Sequence, residues 1–144
     1  MSCLTARAEG EANMGVRFPS VASNTFVGPF PANDTETVVL ITPPINEPID
    51  NAQVLLFFSA SLGVGAAVTS LTFRIRRGTT TAGTIIFLSP PIATVVAGNN
   101  YLGSFWYFDF PGVVAGQQYC LTVVQTAATG ASVWTDGAMI AMVL

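Results

Sequence analysis

From residue 37 to the carboxyl end, the pattern of apolar and polar residues is that of β-strands. "VTSLTFRIR" (68–76) sets Leu71, Phe73 and Ile75 on one side and Thr72, Arg74 and Arg76 on the other, the period of a half-buried strand. Other runs that read as strands are "TVVLIT", "AQVLLFFSAS", "TIIFLS", "IATVV", "YLGSFWYFDF", "QQYCLTVVQT", "ASVWT" and "AMIAMVL". Pro43-Pro44, "GVGA", "RGTTTAG", Pro90-Pro91, "AGNN", "PGVVAG", "AATG" and the turn "DG" (Asp136-Gly137) separate them. Short strands with closely spaced turns predict an all-β chain, a single β-sandwich or jelly-roll-like domain of about eight strands over residues 37–144. No segment carries a capped helical period, and no repeat of fixed length is visible.

Two stretches break the pattern. In residues 104–110, Ser104, Trp106, Phe108 and Phe110 alternate with Phe105, Tyr107 and Asp109. Both faces are rich in aromatics, whereas a sandwich strand turns one face to water. The outer face is therefore expected to be covered, with Phe105 and Tyr107 as interface anchors and Trp106 in the core. Asp109, just before Phe110-Pro111-Gly112, is expected to accept a bond within the turn. Residues 1–36 form the second stretch, an extended amino-terminal arm broken by Pro19, Pro29 and Pro31. Its Phe18, Phe26 and Phe30 are anchors expected to hold it on its own domain or on a neighbour. Proline keeps such a strap extended.

Composition supports assembly. Hydrophobic residues make up 51% of the 144 residues and charged residues 9%, against roughly 25% charged in an ordinary soluble domain. Such a surface is expected to be buried against copies of the chain or a larger particle. No apolar run is long and unbroken enough for a transmembrane helix, and the amino terminus lacks the apolar segment of a signal peptide. The expected setting is synthesis in a host cytoplasm without export through a signal sequence and without a membrane partner. Composition alone leaves a β-barrel pore open. The net charge is −3 with no His and no Lys, the reverse of the basic surplus of a general nucleic-acid binder, so no direct nucleic-acid contact is expected.

Candidate chemistry is sparse. Without His there is no Ser-His-Asp triad and no His-based metal site. The eight acids are scattered, so neither catalysis nor a cofactor is expected. Asp34/Glu36 and Glu47/Asp50 read as weak calcium ligands or, more simply, as solvated loop acids. Arg74, Arg76 and Arg77 read as an anion or partner contact, or as cations guarding a sheet edge and pairing with acids. A glycan is an open ligand for exposed aromatics, with Trp134 the best candidate. Cys120, between Tyr119 and Leu121, reads as a buried inert thiol.

"LTFRIRRGTTTAGT", "DFPGVVAGQQYCLTVV" and "GAMIAMVL" together resemble small jelly-roll structural proteins of viruses, especially the capsid decoration or minor capsid proteins of tailed phages. "PGVVAGQQYCLTV" is also similar to the tyrosine-corner turn of fibronectin-type and immunoglobulin-like sandwiches, with Tyr119 as the corner bonding back to the preceding loop backbone. The resemblance implies a homotrimeric or otherwise symmetric knob on a virion surface. Its partners would be its own copies and a major capsid protein or another virion protein. A receptor- or glycan-binding head is the alternative, and an enzyme or β-pore a third.

Overall fold

A computed structural model of the chain describes residues 20–24, 28–29, 35–45, 51–64, 68–93, 100–127 and 132–144. Every element in them is a strand: β1 (Ser20–Val21), β2 (Ser23–Asn24), β3 (Gly28–Pro29), β4 (Thr37–Ile41), β5 (Ala52–Val64), β6 (Val68–Arg77), β7 (Ile85–Leu88), β8 (Ile92–Ala93), β9 (Asn100–Gly112), β10 (Tyr119–Ala127) and β11 (Ser132–Val143). Seven of these have four residues or more. One sheet runs β1-β11-β5-β9, with β3 also on β11. The other runs β2-β4-β10-β6-β7, with β8 also on β6. All pairings are antiparallel. The expected β-sandwich is the observed fold.

The period of two does the packing. On β5, Val54, Leu56, Phe58, Ala60 and Leu62 are buried, and Leu71, Phe73 and Ile75 of β6 face them, fully buried. Leu121 and Val123 of β10 and Met139 and Ala141 of β11 complete the middle layer. The Phe58 ring lies 5.6 Å from Phe73, 5.3 Å from Phe105 and 6.2 Å from Phe87, inside the range where aromatic pairs attract. Full burial of each such side chain is worth roughly 1.5–3 kcal/mol.

Two expectations change. The "DG" turn at 136–137 is not a turn: "SVWT" and "AMIAMV" belong to one strand, β11 (Ser132–Val143), with a register shift between Trp134 and Asp136. A bulge absorbs the extra residue, and Asp136 Oδ1 accepts the Gly137 N–H at 2.7 Å. "GVGA" is in part strand, since β5 runs to Val64. "PGVVAG" does turn, with Gly112 (φ +84°) and Gly116 (φ +75°) in the left-handed region that glycine enters without a Cβ clash.

The arm is described only in part. Its described pieces add to the chain's own sheets: β1 and β3 pair with β11, and β2 pairs with β4. Phe18, Phe26 and Phe30 lie outside the described residues. Glu36, the last residue of the expected arm, is bonded into β6 and β10.

Candidate functional site

The three clustered arginines are held by the chain's own acids. Arg74 and Arg76 stand on the face of β6 away from the core. Arg76 grips Glu36 with two bonds of 2.7 Å, and Arg74 adds a third at 2.7 Å. The Thr122 hydroxyl donates to the same carboxylate. Burial alone would raise the Glu36 pKa, but the bonds from Arg76, Thr122 and Arg74 and the charge of Arg76 outweigh it and lower it to about 2 from 4.5. A depressed carboxylate stabilises the fold fully above its unfolded pKa, and that stability is lost as pH falls through the folded value. The wild type should therefore lose stability between about pH 4.5 and about 2. Glu36→Gln should remove that part of the acid slope and lower the urea midpoint at neutral pH. An unchanged slope in a pH series of urea titrations contradicts the assignment.

The third arginine, Arg77, shares the parity of Leu71, Phe73 and Ile75 and so turns toward the opposite sheet. There its Nε and Nη2 donate to Asp109 at 2.9 and 2.6 Å, and Nη2 also reaches the Phe110 carbonyl at 3.2 Å. The Tyr119 hydroxyl donates to Asp109 Oδ2 at 2.9 Å. Asp109 is buried. It is thus an inter-sheet acceptor, not an acceptor within its own turn as expected. Tyr119 likewise departs from the corner geometry: its hydroxyl goes to a side chain on β9, the Asp109 carboxylate. Burial, then the bond to Asp109, raises the Tyr119 pKa, so the phenol stays a donor.

Cys120 is fully buried, with its sulfur 3.7 Å from the Thr80 carbonyl. Burial pushes its pKa up to about 11, with Arg76 opposing. It is a packed thiol. Among the described residues no group of three metal-ligating side chains comes together, and no helix is long and apolar enough to cross a membrane.

Among the described residues, the exposed large hydrophobics Val21, Phe57, Trp106 and Phe110 share one face of the β1-β11-β5-β9 sheet. Register places Val21, Ile140, Phe57 and Trp106 in a row across the four strands, and Met142, Leu55 and Phe108 in the next. Trp106 is 64% exposed and Phe110, two residues beyond Phe108 on β9, is 66% exposed. The Trp106 and Phe108 rings meet edge-on at 5.5 Å. No charged residue stands in either row.

The sequence expectation for β9 is inverted. Phe105 and Tyr107, expected as interface anchors, pack on the core, against Phe58, Phe73 and Phe87. Trp106, expected inside, stands outside. Asp109 decides the parity, since its partners Arg77 and Tyr119 lie between the sheets. The overlooked signal was Arg77, an arginine on an inward parity that needs an acid across the sandwich. Of Trp134 the backbone alone is described, paired with Leu62 and Gly28.

On the same outer face, one row beyond Phe57, lies an open depression of about 210 Å³ lined by Ser59, Ser61, Asp136, Gly137 and Ala138. Ser104 of β9 is the cross-strand neighbour of Ser59. The face thus combines an aromatic ridge with a low polar strip beside it.

No family model matches the chain, and no curated protein matches it. Several solved structures share the fold. Dimeric latent PorU from Porphyromonas gingivalis aligns at a TM-score of 0.53 and 11% identity, over 87% of this chain and 12% of that one. A chain of infectious bursal disease virus, Gx strain, aligns at 0.56 and 13% identity, over 86% and 32%. A chain of the T13 viral particle of infectious bursal disease virus aligns at 0.53 and 11% identity, over 88% and 30%. The chain spans about a third or less of each of these. At such identities the likeness is one of fold.

Proposed function

We propose that this chain is a virion structural protein, a capsid decoration or minor capsid subunit that attaches through the outer face of the β1-β11-β5-β9 sheet. The observation that carries the reading is the two-row apolar face with Trp106 and Phe110 projecting from it. Uncovered apolar area of this kind marks an interaction surface. The sandwich shared with chains of viral particles adds support, as does the internal pairing of the β6 arginines, which leaves attachment to apolar contact. The working partners are copies of the chain and a capsid protein, the location is the virion surface, and no catalytic role is assigned.

The test is incorporation. Purified particles should contain the chain, and Trp106→Ser should lower its bound amount about tenfold or more while circular dichroism stays that of wild type. Particles that lack the chain, or that retain the variant fully, overturn the reading. A second reading, a glycan-binding head, draws on Trp106 standing one row from Ser104 and Ser59, an aromatic platform with polar neighbours. Saccharide binding that Trp106→Ser abolishes would favour it.

A further inference from the structure

The aromatic ridge and the depression lie on the same sheet face, one row apart, and each suits the other. We propose that this face docks on the same face of a second copy, with Trp106 of each copy inserted into the depression of the other. This rests on the reading of the face as an attachment surface and names its occupant.

Three observations carry it. The first is area. Val21 is 53% exposed, Phe57 42%, Trp106 64% and Phe110 66%. With their half-buried neighbours Leu55, Phe108, Ile140 and Met142 they offer on the order of 600 Å². That is at the upper end for a patch on a monomer, and it approaches the ~800 Å² per partner of a standard interface. The second is charge. Neither apolar row bears a charged side chain, and the docking sets the Asp136 carboxylate of each copy against Trp106 of the other, not against a second carboxylate. The third is shape and chemistry. The depression, about 210 Å³ and open to solvent, has a floor of small residues, Ser59, Ser61, Gly137 and Ala138, which leaves room for the edge of an indole. Asp136 at its rim offers a carboxylate, which accepts several donors, to the indole N–H.

Symmetry follows from placement. The ridge and the depression project along one direction, so a copy that receives the ridge must face the sheet. A contact in which the same patch serves both partners is isologous and twofold. Reciprocal insertion, Trp106 of each copy into the depression of the other, closes with two copies. The docked unit is therefore a dimer, in place of the trimer implied by the resemblance.

The experiment is light scattering on the full chain at micromolar concentration, with two variants that act from opposite sides. Trp106→Ser removes the knob, and Ala138→Trp fills the depression. Wild type should give twice the 15.1 kDa mass of the chain. Each variant should keep the wild-type circular dichroism and melting transition, with a dimer dissociation constant about thirtyfold or more above wild type. A wild-type monomer, a threefold mass, or a dimer indifferent to either variant overturns the proposal. A wild-type monomer whose Trp106→Ser variant still loses its place in particles assigns the face to a capsid protein instead. A dimer that is absent from particles leaves the twofold contact standing and removes the virion reading.

Discussion

Phe58→Ala is expected to lower unfolding stability by about 4 kcal/mol. Phe58 is fully buried and sits where the two sheets meet, between Phe73 of one and Phe105 of the other. Its removal deletes apolar contact on both sides and leaves a cavity. The surrounding β strands are held by ladder bonds and close on that cavity only in part. Stability of a domain this size is typically ~5–15 kcal/mol, so the variant loses a large share of it. A urea titration with the slope unchanged from wild type measures the effect directly. A loss under about 2 kcal/mol would mean that the centre of the sandwich repacks.

The second large effect is at Asp109. Asp109→Ala leaves the Tyr119 hydroxyl without its acceptor and Arg77 without its carboxylate, deep in the seam between β6 and β9. Breaking a buried ion pair from one side commonly costs about 3–5 kcal/mol. The Arg77 side chain is 36% exposed, so water replaces part of what it loses, and about 3 kcal/mol is expected. Asp109→Asn keeps one acceptor oxygen, for the Tyr119 hydroxyl and Arg77 Nε, but loses the charge and sets an NH2 donor against Arg77 Nη2, so about 2 kcal/mol is expected. In a Tyr119→Phe background, Asp109→Ala should cost less than in wild type, because no buried hydroxyl is left seeking a partner. Equal costs in the two backgrounds would show that the phenol draws nothing from Asp109.

The same residue accounts for why β9 was hard to read. A strand with Phe105 and Tyr107 on one side and Trp106, Phe108 and Phe110 on the other satisfies the hydrophobic pattern whichever side turns inward. Hydrophobicity therefore does not choose. The choice falls to the one charged group, and a lone Asp109 next to a Pro-Gly turn reads as a solvated turn acceptor. Its partners are 32 and 10 residues away in the chain and become neighbours only when the sheets stack.

The sequence by itself determined the β class, most strand positions, the turns at Gly112 and Gly116, and the inward set Leu71, Phe73 and Ile75. Each of these is local: a two-residue period with one plainly apolar side, or a residue type that a backbone angle requires. Only the tertiary structure decided that Trp106 faces out, that Glu36 belongs with Arg74 and Arg76, and that "SVWT" and "AMIAMV" form one bulged strand. Each of those depends on what lies opposite across a ladder or between sheets. The energies that settle such placements, those of a buried carboxylate finding its arginine or a strand finding its register, come from partners far along the chain.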